Sequence, residues 1–300
     1  MASFQALLVP SALTALADTW LQSDIPKFDV GGFVVGSERT TANLLCKSPG
    51  VVCGTPFATA VIERCECTVV WLRSEGDVVT EEEARAKVAV AKVEGSARAL
   101  LQCERTALNV LARASGVATA ARRASERVAA KGWAGKVCGT RKTTPGFGLV
   151  EKYALLVGGA GTHRMDLSAM VMLKDNHIWA VGSITTAVQK ARSAGGFSTK
   201  IEVECRDLAE AKEAAAAGCD ICMLDNFTPE EIHRDATLLK KLYPHIIVEA
   251  SGGITLDTIE GYLSPAVDVI SQGSLTQGYA VVDFSMKLPR PAHMAALATA

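Results

Sequence analysis

Thr140, Arg141 and Lys142 stand side by side after a short apolar run, Lys136-Val-Cys138, and lead into Thr143-Thr-Pro-Gly146. A guanidinium and an ammonium next to each other at a strand end are awkward for folding, but they suit a ligand with several negative charges. Two further cationic signals share the pattern. His163-Arg164 follows the glycine-rich Gly158-Gly-Ala-Gly161, and Lys174 closes the apolar run Met170-Val-Met-Leu173. Any one of these reads as an ordinary surface charge; three at segment ends point to one anion site. Carboxylates show the same placement. Glu204 ends Ile201-Glu-Val-Glu204, whose alternation puts Glu202 and Glu204 on one side of a strand, and Asp225 ends Cys222-Met-Leu-Asp225. Such a pair can serve as acid and base, hold a metal, grip ribose hydroxyls, or simply pair with Lys174 or Arg164. Ser251-Gly-Gly-Ile254 and Ser271-Gln-Gly273-Ser274 are turns able to expose backbone N–H groups as a phosphate cradle. A phosphosugar with a second anionic partner satisfies all three sets. No Ser–His–Asp arrangement, zinc signature or dinucleotide fingerprint competes with it.

The elements that carry these residues alternate. From residue 136 on, the pattern predicts strands at 137–140, 169–174, 200–204, 220–225, 246–251 and 267–271. Helices are expected between them at 184–194, 208–217, 229–242 and 256–263, with Gly195 and Gly218 at helix ends. Near-continuous apolar strands alternating with helices mean a parallel sheet, either a barrel or doubly wound. A doubly wound sheet gathers its ligand at one switch point, whereas a (β/α) barrel draws chemistry from many strand ends. Six loaded ends favour the barrel. Residues 1–118 read as an α+β layer structure, with strands at 42–46, 68–72 and 87–94 and a turn at Ser74-Glu-Gly-Asp77. A helix at 99–114 leads out of it, with Leu101, Arg105, Leu108 and Leu111 on one face. An arginine among leucines must snorkel to the rim or meet an anion.

The totals narrow the partners. Three hundred residues, 49% of them hydrophobic, bury one large core or two smaller ones. A net charge of −1 supplies no basic field for nucleic acid or anionic lipid, so any positive patch is local and its target small. The first 20 residues read as an amphipathic helix and not as a signal peptide, and no segment is apolar over the length of a membrane span. Nine cysteines, odd in number and mostly inside apolar runs, fit reduced thiols in the cytoplasm. Cys219 and Cys222 have redox or metal spacing, yet no second pair or nearby histidine completes it, and a core strand explains them.

Several motifs together resemble one family. They are Glu104-Arg105-x-Ala107-Leu108-Asn109, Thr140 to Phe147, His163-Arg164, Leu173-Lys-Asp-Asn-His177, Glu202-Val-Glu204, Leu224-Asp-Asn226, Glu249 to Ile254 and Ser271-x-Gly273. On these the chain is similar, over nearly its whole length, to the quinolinate phosphoribosyltransferases, above all the vertebrate type. The resemblance implies an N-terminal α+β sandwich domain over 1–118, completed by 280–300. An incomplete, TIM-like α/β barrel follows over 119–279. It implies that Arg105, Arg141, His163, Arg164 and Lys174 surround the two carboxylates of quinolinate. Thr140, Lys142, Glu204, Asp225, Ser251, Gly252, Gly253 and Gly273 would bind phosphoribosyl pyrophosphate. Lys142, Glu204 and Asp225 would be catalytic, with Glu204 and Asp225 also holding Mg²⁺, largely through substrate and water. A dimer, or a hexamer built as three dimers, with a shared active site is implied as well. Departures are small: Thr162 stands where many relatives have serine, and Thr276-Gln277 replaces a Thr-His pair of bacterial members. Two other readings remain at this stage: an aldolase or decarboxylase barrel with Lys174 as Schiff-base amine, and a non-catalytic metabolite-binding barrel.

Overall fold

Alternating apolar residues build a four-stranded sheet of this protein and continuous apolar runs build a six-stranded one. The computed structural model describes residues 4–278 and 280–290. Five strands come first: β1 (Arg39–Cys46), β2 (Gly50–Val51), β3 (Thr68–Trp71), β4 (Val78–Val79) and β5 (Ala89–Ser96). Six follow: β6 (Lys136–Cys138), β7 (Val171–Leu173), β8 (Ile201–Cys205), β9 (Ile221–Asp225), β10 (Ile247–Ser251) and β11 (Val269–Ser271). The last is β12 (Phe284–Lys287). The chain divides into two compact units. One takes in the chain through Thr119, Leu149–Gly158 and the C-terminal strand; the other comprises Ala120–Gly148 and Gly159–Gly278. Residues 291–300, expected to complete the first domain, lie outside the described residues.

In the first unit β12, β1, β5 and β3 form an antiparallel sheet in that order. In β1, Ala42, Leu44 and Cys46 are fully buried while Thr41 and Asn43 are exposed, which is the alternation of a sheet with one wet face. The covered face meets the helix Thr55–Arg64, whose Ala58, Val61 and Ile62 share one stripe, and the helix Ala97–Ala129, through Leu100, Cys103, Ala107, Leu108 and Leu111. That second helix, expected to end near 114, runs to Ala129 without a break. Gly116 is tolerated inside it because the backbone oxygen of Ala280 occupies the place of a Cβ, at 2.0 Å. The leucine face read from the spacing is split: Leu108 and Leu111 are buried, whereas Leu101 and Arg105 are exposed.

In the second unit all six strands are parallel, in the order β6-β11-β10-β9-β8-β7. From β7 to β11 each strand adds on the same side of the last, and β6 then pairs with β11. This is the cyclic order of a barrel, with no reversal and so no switch point. Among the described residues β6 and β7 do not pair, and the barrel stays open between them. Gly161 lies along the free edge of β6, with Gly161 N–H to Val137 O at 2.8 Å and Gly139 N–H to Gly161 O at 2.9 Å. Helices Ile184–Gly195, Leu208–Ala216 and Pro229–Leu242 cross between strands, capped by Ser183, Asp207 and a Thr228/Glu231 capping box. The helix expected at 256–263 is only a 3₁₀ turn, Ile259–Tyr262. Cys222 lies in β9 and Cys219 just before it, both buried free thiols whose sulfurs share a hydrogen bond at 3.5 Å.

Candidate active site

The C-terminal ends of the six parallel strands open onto one cavity of about 670 Å³. It has the size of a small-molecule site. Thr140, Arg141 and Lys142 reach it from the end of β6, His163 and Arg164 from the loop along that edge, and Lys174 from the end of β7. Glu204 enters from β8, Asp225 from β9, Ser251 with Gly252 and Gly253 from β10, and Gly273 from beyond β11. Parallel pairing keeps these ends level: Ser251 is the register partner of Asp225. Of the expected residues, Arg105 alone does not line the cavity; it belongs to the first unit and is exposed there.

The rim is cationic. Arg141 and Lys142 are exposed, and neither has an ion-pair partner among the described residues. Their loop is held by backbone: Lys142 N–H donates to Thr140 Oγ1 at 3.0 Å, and Thr276 Oγ1 donates to Lys142 O at 2.7 Å. Arg164 is directed by bonds to Met170 O at 3.2 Å and to Met172 Sδ at 3.5 Å. Lys174 pairs with Glu204. Asp225 is half-buried, and that burial, followed by the charge of Glu204, pushes its carboxyl above the usual range.

The β10 turn forms the phosphate-cradle shape. Gly252 has φ 93° and Gly253 φ 63°. A Cβ at Gly252 would lie 2.3 Å from Asn226 Oδ1 and 2.6 Å from Asn226 N, so no other residue fits there without a shift. Asn226, itself at φ 60°, joins the turn to the carboxylate. Its N–H donates to Ser251 O at 2.9 Å and its Nδ2 to Asp225 Oδ2 at 2.6 Å. Ser271 Oγ donates to Ser251 Oγ at 3.0 Å.

Beneath these lies a floor of buried acid. Glu202 and Glu249 are 0% and 1% exposed. His163 Nε2 is 3.0 Å from Glu249 Oε2 and 3.5 Å from Glu202 Oε2. Burial and the charge of Glu249 outweigh the pull of His163 and raise Glu202 to about 7. For His163 burial acts downward, while its contacts with the two carboxylates act upward and prevail.

A barrel with this site has known relatives. The model of the quinolinate phosphoribosyl transferase C-terminal domain matches residues 117–287, and that of the N-terminal domain matches 27–115. The chain belongs to this family. It is 53% identical to the rat nicotinate-nucleotide pyrophosphorylase [carboxylating] over 284 residues, 95% of this chain and 93% of that one. The human protein of the same name is 51% identical, with coverage of 94% and 93%. Among solved structures, the nicotinate-nucleotide pyrophosphorylase from Francisella tularensis superposes with a TM-score of 0.85 at 32% identity, covering 94% of this chain and 98% of that one.

Membership in the quinolinate phosphoribosyl transferase family leaves no support for the aldolase and non-catalytic readings. Lys174, with a carboxylate partner and a side chain 44% exposed, is not the dry amine that a Schiff base needs. Among the cavity residues without a role from sequence are Asn226, Glu249 and Gln277. Asn226 adjoins Asp225, and Glu249 is two strand residues before Ser251, so adjacency and alternation were the available signals. Gln277 lines the cavity beside Gly273 and Lys142, from a position set aside as a family departure. No helix among the described residues is long and apolar enough to cross a membrane.

Proposed function

We propose that this protein joins quinolinate to 5-phosphoribosyl 1-pyrophosphate, yielding nicotinate mononucleotide, pyrophosphate and CO₂ in NAD biosynthesis. The observation that carries this is one cavity, on a chain of this family, that brings exposed cations, a carboxylate pair and a glycine turn to neighbouring strand ends. Arg141, Arg164 and Lys174 face the two ring carboxylates, with His163 in the same wall. Lys142 faces the pyrophosphate from the end of β6, beside Thr140. Ser251, Gly252, Gly253 and Gly273 receive the 5′-phosphate. Glu204 and Asp225 hold the ribose hydroxyls.

Bond formation between the ring nitrogen and ribose C1 expels pyrophosphate through a transition state of oxocarbenium character. The protein therefore needs placed charge more than a nucleophile. Lys142 neutralises the departing oxygens, while Glu204 and Asp225 orient the ribose and face the charge growing at C1. Once the nitrogen is quaternary, the pyridinium ring accepts the electron pair left when the 2-carboxylate departs as CO₂, and C2 then takes up a proton. Glu204 and Asp225 place hard oxygen donors on adjacent strands, which fits a divalent cation, and we assign Mg²⁺ to this pair. When bound, Mg²⁺ supplies charge neutralisation at the pyrophosphate.

The exposed Arg105 supports a two-fold dimer, alone or as three dimers in a hexamer, in which a second copy supplies Arg105 to the site. Nine free thiols fit a cytoplasmic location. Release of CO₂ from quinolinate in the presence of phosphoribosyl pyrophosphate and Mg²⁺ tests the reaction. Nicotinate, lacking one carboxylate, leaves a cation without its partner and should fall about ten- to a hundredfold in kcat/KM. Comparable values for the two acids would overturn the assignment. For the dimer, Arg105→Ala and Glu204→Ala should each be inactive yet recover about a quarter of wild-type activity when refolded together, under random pairing. Subunit exchange without recovery would place Arg105 outside the shared site.

A further inference from the structure

Glu249 and Glu202 have no part in the reaction as drawn, yet both are carboxylates sealed beneath the cavity, with side chains 2% and 0% exposed. A buried carboxylate persists only with a partner, and here the partner is His163. The ring of His163 is engaged from both sides. The backbone N–H of Arg164 donates to Nδ1 at 2.8 Å, and Nε2 lies 3.0 Å from Glu249 Oε2. A nitrogen that accepts a hydrogen bond carries no proton, so the ring proton sits on Nε2. Nε2 has one N–H to give. Glu249 takes it at 3.0 Å, while Glu202 Oε2 stands at 3.5 Å and neither of its oxygens has a hydrogen-bond partner among the described residues. The two carboxylates favour a second ring proton, but placing it on Nδ1 would set two N–H groups against each other across 2.8 Å. His163 also holds φ 55°, a conformation that a non-glycine residue keeps only when its surroundings impose it. That backbone turn is what brings the N–H of Arg164 onto the preceding ring.

We propose that Glu249 is a positioning residue for quinolinate. It accepts the Nε2 proton of His163, fixes the ring with its Nδ1 lone pair toward the Arg164 N–H, and so sets the direction in which Arg164 reaches the ring carboxylates. This rests on the quinolinate reading above. Both nitrogens of His163 are then occupied by protein, and the ring meets the ligand through its carbon edge. The cationic wall consists of Arg141, Arg164 and Lys174.

NMR of nitrogen-labelled histidine reads the tautomer directly, and equilibrium titrations read each substrate separately. Wild type should show His163 with its proton on Nε2. Glu249→Ala should lose that single tautomer and bind quinolinate about tenfold more weakly or worse, as histidines lacking their orienting partner do. Phosphoribosyl pyrophosphate affinity should stay within about twofold, since the β10 turn and β8–β9 carboxylates are untouched. Glu249→Gln, whose amide oxygen still accepts the bond, should recover most of the loss. His163→Ala combined with Glu249→Ala should be no weaker for quinolinate than His163→Ala alone. Additive losses, or an equal loss for both substrates, would overturn the proposal. If Glu249→Ala does not fold, Glu249→Met fills the space without an acceptor and carries the same expectations. The wild-type spectrum needs no variant: a proton on Nδ1 sinks the idea at once. A wild type that releases no CO₂ from quinolinate defeats the reaction assignment. A wild type that does, with Glu249→Ala binding quinolinate as well, defeats this inference alone.

Discussion

At the rim of the cavity Arg141 and Lys142 are exposed cations without ion-pair partners among the described residues; one layer below, Glu202 and Glu249 are sealed carboxyl groups gathered around a single histidine. Water makes the difference. A solvated ammonium can wait unpaired for a ligand at little cost, whereas a buried carboxylate without a partner would lose several kcal/mol of hydration. Rim charges can therefore act on substrate directly, and floor charges act on it through the side chains they hold. The two layers should fail differently when broken. Rim variants should lose activity and keep their stability, and floor variants should disturb both.

The largest effect is expected at Lys142. Its side chain is exposed and has no ion-pair partner among the described residues, so Lys142→Ala should leave Tm within a degree or two. Loss of the cation facing the pyrophosphate should lower kcat by about 10²–10³, the usual consequence of removing one group that stabilises developing charge. Steady-state kinetics with a thermal melt beside them check this. A variant that keeps a tenth of wild-type kcat would remove Lys142 from the chemistry.

A smaller and more selective effect separates the two substrates. Lys174 and Glu204 pair in the ligand-free protein, and Asp225 stands beside Glu204 on the next strand. Lys174→Ala should weaken quinolinate about ten- to a hundredfold and phosphoribosyl pyrophosphate much less. Asp225→Ala should do the reverse and lessen the dependence on Mg²⁺. Titrating each variant with each ligand gives four constants. Equal losses in all four would mean that the carboxylate pair and the cationic wall do not divide the substrates between them.

The rim was legible in the sequence because its residues violate the pattern around them. Arg141, Lys142, Lys174 and Asp225 end apolar runs, where a folding strand has no use for charge. The barrel was legible for the same reason, since six such ends are more than one switch point could use. The floor was not. Glu202 reads as the alternation partner of Glu204, and Glu249 as the polar end of Ile246-Ile-Val; only His163, far away in sequence, turns both into one buried cluster. Helical spacing likewise misplaced Arg105. At about 100° per residue it lies about 60° from Leu108 and about 120° from Leu111, at the margin of the stripe, and so it is exposed with Leu101. Gly116 gave no sign in sequence that it would sit inside a helix running to Ala129, because the backbone it accommodates is that of residue 280.

The smallest effect tests whether the phosphate turn has a supporting layer of its own. Ser271 is 3% exposed, and its Oγ donates to Ser251 Oγ at 3.0 Å. With its acceptor role filled from below, the Ser251 hydroxyl keeps its own proton for a phosphate oxygen. Removing that support forfeits about one neutral hydrogen bond, on the order of 1 kcal/mol, without emptying a charge into the core. Ser271→Ala should therefore weaken phosphoribosyl pyrophosphate about three- to tenfold and leave quinolinate unchanged, with Ser251→Ala at least as damaging. The double variant should bind no worse than Ser251→Ala alone, because Ser271 reaches the ligand only through Ser251. Additive losses would show that Ser271 meets the substrate itself. A loss confined to quinolinate would show that the turn after β10 is not where the phosphate binds.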